Sequence, residues 1–133
     1  MGGAHLEAAV KSGLYKAREY YEDKDAYREE LKHYQRIFKG DFMSFLTESI
    51  KSSGYVVDTL EAAIWCLLNT DSYKSSVLKA VNLGEDTDTV AAVVGGLAGM
   101  HYGIEAIPSE WAGQIARIEA IKNLCEKFYL SLR

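Results

Sequence analysis

The chain is 133 residues long, one domain's length, with 48% hydrophobic and 26% charged residues, a balance typical of soluble globular folds. Its net charge of -4 is not offset by any Lys/Arg cluster, which argues against a nucleic-acid partner. The most apolar run, Val90 to Ile104, is 15 residues with His101 inside it, too short to cross a bilayer. At the N-terminus no positively charged region precedes an apolar run, so no secretory signal is expected and the cytoplasm is the expected location.

In chain order the pattern is helical almost throughout. Residues 5–22 read as a first amphipathic helix and 24–38 as a second, strongly charged one. Gly40 and Asp41 break the pattern. Phe42, Phe45, Leu46 and Ile50 then predict a third amphipathic stretch, and Ser52-Ser53-Gly54 a turn. After the apolar bridge Tyr55-Val56-Val57, Asp58 with Glu61 three residues on reads as a helix N-cap. Leu60, Ala63, Ile64, Leu67 and Leu68 follow at helical spacing.

Asn69 to Ser72 ends that helix and caps the next, which is expected to turn Val77, Leu78 and Val81 inward. A loop at 82–87 leads into a glycine-rich helix over about 88–102. Ile107 to Trp111 is a turn. The last helix sets Ile115, Ile118, Ile121, Leu124, Cys125, Phe128 and Leu132 on one face. No segment alternates with period two, so the expected class is all-α, a compact orthogonal multi-helix bundle in a single domain over 1–133. Cys66 and Cys125, both among apolar residues, are expected to be buried, reduced thiols. His5, His33 and His101 are isolated from any nucleophile and are expected to be structural or exposed.

The segment that can carry chemistry is Gly84-Glu85-Asp86-Thr87-Asp88-Thr89. In an extended loop residues two apart point the same way, so Asp86 and Asp88 can converge, with the Thr89 hydroxyl turned back toward them. Hard oxygen donors suit Mg²⁺, Mn²⁺ or Ca²⁺ rather than zinc. On spacing alone helix capping is the favoured reading, because Asp and Thr are preferred at helix N-termini. An EF-hand does not fit, since Val-Ala-Ala-Val follows Thr89 and supplies no further oxygen ligand. Gly95, Gly99 and Gly103 recur every fourth residue in the next helix. Glycine costs a helix interior about 1 kcal/mol relative to alanine, so the stripe predicts close approach of another helix.

The run Asn-Leu-Gly-Glu-Asp-Thr-Asp-Thr-Val-Ala-Ala-Val-Val-Gly-Gly-Leu-Ala-Gly-Met-His-Tyr-Gly at 82–103 resembles the ADP-ribosylglycohydrolase family. So do Ala-Ile-Pro-Ser-Glu-Trp at 106–111 and Gly-Tyr-Val-Val-Asp-Thr-Leu-Glu-Ala-Ala-Ile-Trp at 54–65. The three blocks stand in the family's order.

The resemblance implies an all-helical hydrolase with paired Mg²⁺ ions (Mn²⁺ as a substitute) that cleaves the bond between ADP-ribose and its acceptor. It implies that Asp86, Asp88 and Thr89 are metal ligands and that Gly54, Tyr55 and Val56 border the bound nucleotide, with Tyr55 placed to stack on it. The family's other metal ligands, an N-terminal Thr-Asp-Asp run, have no counterpart in these residues. The chain therefore reads as the C-terminal part of such a protein, with half of its metal site and weak metal binding by itself. A second polypeptide or another copy of the chain is the expected partner completing the fold, and ADP-ribose or an ADP-ribosylated substrate the expected ligand. The alternative is a catalytically inactive helical interaction module derived from the family, which predicts an exposed apolar surface.

Overall fold

The computed structural model describes residues 2–133, with side chains from residue 5 onward. Among the described residues there is no strand, and the class is all-α. The helices are α1 (Gly2–Glu22), α2 (Asp25–Arg28), α3 (Val56–Leu68), α4 (Tyr73–Val81), α5 (Thr87–Tyr102), α6 (Ser109–Ala112) and α7 (Ile118–Ser131). Short 3₁₀ turns lie at Glu29–Tyr34, Phe42–Ser44, Thr47–Ser49 and Ile104–Ala106.

α3 is the centre of the molecule. Nine of its 13 residues are buried, so it is apolar nearly all round rather than along one stripe. α4 and α5 pack against it, with Ala80, Val90 and Val94 meeting Ala62, Ala63 and Cys66. The small residues let the backbones approach. A second cluster joins Leu6 of α1 to Leu67 and Ala98. α4 begins as its sequence predicts: the Ser72 hydroxyl accepts from the Ser75 amide, and the Ser75 hydroxyl accepts from the Ser72 amide. Such a cap is worth about 1 kcal/mol.

Several expectations are corrected. Residues 24–38 are not one helix: after the single turn of α2 the chain tightens into the 3₁₀ turn Glu29–Tyr34. Leu31, Tyr34 and Ile37 follow at intervals of three, so three residues per turn place them on one inward face. Residues 42–50 form two 3₁₀ turns instead of an amphipathic helix. Ser44 and Ser49 donate their hydroxyls to the carbonyls of Asp41 and Leu46, competing locally with helical pairing. The segment is then tied down by the Trp65 indole N–H, which donates to the Phe45 carbonyl at 3.1 Å.

Asp58 is not an N-cap. α3 starts earlier, at Val56, and the Asp58 carboxylate accepts from the Ser53 hydroxyl at 2.6 Å. Glu61, expected to complete the cap, is 5% exposed and pairs with Arg36 at 3.1 Å. Leu78 and Val81 face outward, while Val77 packs against the core. Ile115 precedes α7, which starts after Arg117 in a left-handed conformation (φ 58°). Cys66 is buried and its thiol is pushed up to about 11 by burial, but Cys125 is exposed on α7. On that helix Leu124 is 68% and Phe128 64% exposed.

The glycine stripe is covered in part. The side chain of Tyr73, at the start of α4, lies over Gly95 and Gly99: an added Cβ would meet its hydroxyl at 3.4 Å at Gly95 and its ring at 3.9 Å at Gly99. Gly96 faces open space. Gly103 lies outside the stripe's packing and serves as the C-cap of α5, at φ 82°. His5 and His33 are exposed, and His101 packs edge-on against Tyr102. No described helix is long and apolar enough to cross a membrane.

Candidate functional site

Two segments from opposite sides of α3 and α4 in sequence meet at one end of the molecule: the turn 52–56 and the loop 84–89. Three contacts join them. Ser52 donates its hydroxyl to the Gly84 carbonyl at 2.7 Å. The Asp86 amide donates to the Ser52 carbonyl at 3.0 Å. Gly54 comes so close to Asp86 that a Cβ added there would stand 2.9 Å from Asp86 Oδ2. A side chain at 54 would therefore displace the Asp86 carboxylate from this position.

Within the loop, Gly84 (φ 93°) and Glu85 (φ 56°) both take positive φ and turn the chain sharply into α5. Asp86 is the N-cap residue, yet its carboxylate accepts no backbone amide of the first turn. Instead Asp86 Oδ1 accepts the Thr89 hydroxyl at 2.9 Å. Helical geometry starts at Thr87, so Asp86 and Asp88 are not two residues of an extended strand. They converge because an N-cap side chain hangs back over the first turn, where Asp88 and Thr89 occupy the second and third positions.

The Asp88 carboxyl is held below the usual carboxylate range, first by the neighbouring Asp86 side chain, then by the backbone amides of Thr89 and of Asp88 itself. An exposed, ionised carboxylate at a helix N-terminus is also favoured by the helix dipole. The loop thus gathers two carboxylates and a hydroxyl, the three residues Asp86, Asp88 and Thr89 singled out in the sequence. All are hard oxygen donors, and the Asp86 carboxylate is free of backbone capping, so the set fits a small divalent cation. No group of three or more His, Cys, Asp or Glu side chains able to hold a metal occurs among the described residues. Whatever binds here must complete its coordination from water, substrate or another chain.

Gly54, Tyr55 and Val56 border the same place. Tyr55 and Val56 are exposed, Tyr55 at 51%. The Tyr55 amide donates to the Ser53 hydroxyl and the Tyr55 carbonyl accepts the Thr59 amide, so the residue's backbone is fixed. Ser52 was missed in the sequence because a serine in Ser-Ser-Gly reads only as a turn former. Its 32-residue partner cannot be seen from spacing.

An all-helical fold with an acid-hydroxyl loop at a helix start, closed over by a glycine turn, defines the class of protein. The family model described as ADP-ribosylglycohydrolase matches residues 1–133. The chain is 45% identical over 93 residues to "ADP-ribosylarginine hydrolase Tri1" of Serratia proteamaculans, covering 69% of this chain and 25% of the relative. It is 42% identical over 65 residues to "ADP-ribosyl-[dinitrogen reductase] glycohydrolase" of Rhodospirillum rubrum, covering 49% of this chain and 22% of the relative. It is 27% identical over 96 residues to "ADP-ribosylhydrolase ARH3" of Danio rerio, covering 67% and 26%. This chain belongs to the ADP-ribosylglycohydrolase family, and it spans about a quarter of the length of the curated relatives it matches.

Proposed function

We propose that this chain supplies one half of the divalent-metal site of an ADP-ribosyl hydrolase, with Asp86, Asp88 and Thr89 as ligands to Mg²⁺ or Mn²⁺. Gly54, Tyr55 and Val56 form the adjoining edge for ADP-ribose. The observation that carries this reading is the Asp86 carboxylate. It sits at a helix N-cap without capping, takes the Thr89 hydroxyl, and is abutted by Gly54. A carboxylate needed only for capping would be spent on the backbone.

The reaction is hydrolysis of the bond between the anomeric carbon of ADP-ribose and an acceptor. The relatives whose printed names specify arginine and dinitrogen reductase support an acceptor on a protein. Water oxygen joins the anomeric carbon, the bond to the acceptor breaks, and the acceptor leaves with a proton. Held by Asp86, Asp88 and Thr89, Mg²⁺ would supply Lewis-acid polarisation of substrate oxygens. The chain's own residues hold the ligand oxygens in register through the α5 N-terminus, keep Asp88 ionised, and present the Tyr55 ring beside them. The remaining ligands come from water, substrate and a second polypeptide or copy.

The exposed apolar face of α7 favours a second reading, an interaction module without catalysis. Incubating the chain with an ADP-ribosylated arginine peptide and Mn²⁺, alone and with a family protein's metal-ligating N-terminal half, tests between them. ADP-ribose release that appears in the mixture and is lost with Asp88→Ala supports the hydrolase reading. Stable association without release supports the module.

A further inference from the structure

Ser52 is one of the few polar residues buried in the molecule, at 2% exposure, and it lies on a turn, where burial of a hydroxyl is uncommon. Its two polar ends both face one partner. The hydroxyl donates to the Gly84 carbonyl at 2.7 Å and the carbonyl accepts the Asp86 amide at 3.0 Å, so one residue grips the loop on either side of Glu85. Between those two grips the backbone runs through the positive φ values of Gly84 and Glu85. A non-glycine residue in that region is unfavourable by itself, and such a conformation persists only where its surroundings enforce it. The same turn continues into Gly54, whose lack of a Cβ leaves room for Asp86 Oδ2.

We propose that Ser52 is a positioning residue: its two-ended clasp sets the Asp86-Asp88-Thr89 ligand loop against the Gly54-Tyr55-Val56 turn, making the metal edge and the nucleotide edge one rigid unit. The clasp acts through Asp86 and does not touch the ligand. Its significance for catalysis rests on the metal-site reading above; its mechanical part does not. Ser76 offers a built-in comparison. It is also a fully buried serine, but it bonds Ser72 and Thr70 at the start of α4.

The test is amide hydrogen exchange by NMR on the full chain, with Mn²⁺-induced line broadening of the 86–89 amides as a second readout. Ser52→Ala removes the hydroxyl bond to the Gly84 carbonyl and keeps the Ser52 carbonyl that accepts the Asp86 amide, so the loop held by that one remaining bond opens more readily and exchange of the Asp86 amide is expected to speed about fivefold relative to amides of α3. The same substitution is also expected to weaken Mn²⁺ broadening at 86–89. Ser52→Thr, which keeps the hydroxyl, is expected to restore both. Ser76→Ala is expected to lower thermal stability without changing Asp86 relative to α3. If Ser52→Ala leaves Asp86 exchange at the wild-type ratio, or changes it no more than Ser76→Ala does, the clasp is overturned. If exchange responds but Mn²⁺ broadens nothing even in the wild type, the clasp stands and the metal-site reading falls.

Discussion

At Gly54 the chain and the Asp86 carboxylate are within one methyl group of each other, and the consequence can be separated from stability. A Cβ there would stand 2.9 Å from Oδ2, the movable end of a side chain, and Gly54 has no positive φ that alanine would strain. Gly54→Ala should therefore cost under about 1 kcal/mol in denaturant unfolding while displacing Asp86 and abolishing the Mn²⁺ response. A stability loss above that range with the Mn²⁺ response intact would contradict the placement of Asp86.

Glu61 gives a second residue-scale outcome. Burial raises its carboxyl, outweighing the neighbouring Arg36, which lowers it; Asp58 raises it further. A raised acid holds its proton more tightly in the folded state. Its favourable contribution is complete below the unfolded value of 4.5 and is lost as pH rises through the higher folded value. The stability of the wild type relative to Glu61→Gln should thus fall as pH rises from about 4 toward neutrality, measured by urea unfolding across that range. At this scale the sequence showed Asp86, Asp88 and Thr89 because oxygen-bearing residues at close spacing are visible locally. It hid Ser52 and misassigned Asp58 and Glu61, because hydrogen bonds from Ser53 and an ion pair from Arg36 override local capping rules.

Among the elements, α5 was legible in both its limits and its glycine content, while the cause of the glycines was only half legible. The neighbour is Tyr73, whose hydroxyl reaches Gly95 and whose ring reaches Gly99, while Gly96 meets neither. Gly95→Leu should destabilise the fold by about 1–3 kcal/mol through overpacking against that side chain. Gly96→Leu, pointing into open space, should be neutral or stabilising by up to about 1 kcal/mol through helix propensity. Equal melting temperatures for the two variants would remove Tyr73 as the reason for the stripe. The segments 24–38 and 42–50 were read as helices because apolar residues recur at three- and four-residue intervals in both. The periodicity alone does not distinguish an α-helix from 3₁₀ turns when the run is short and its serines bond their own backbone.

Over the whole molecule, the all-α class follows from the absence of period-two patterning and from a central helix apolar on nearly every face. What the pattern could not show is which apolar faces are covered. α7 has the amphipathic spacing of a core helix, yet Leu124, Phe128 and Leu132 lie open. Replacing Leu124 and Phe128 together by Asp should reduce self-association in light scattering and leave the melting temperature unchanged. A large drop in melting temperature would mean that this helix packs on its own chain. The Asp86-Asp88-Thr89 loop, by contrast, is built entirely inside these residues.

The most direct measurement is calorimetric titration of the chain with Mn²⁺ and Mg²⁺, comparing wild type with Asp88→Ala. Weak but saturable Mn²⁺ binding that vanishes in Asp88→Ala, with about 1 kcal/mol or less of stability lost, is the predicted result. No Mn²⁺ binding by the wild type, or binding unchanged in Asp88→Ala, would contradict the metal role of the loop.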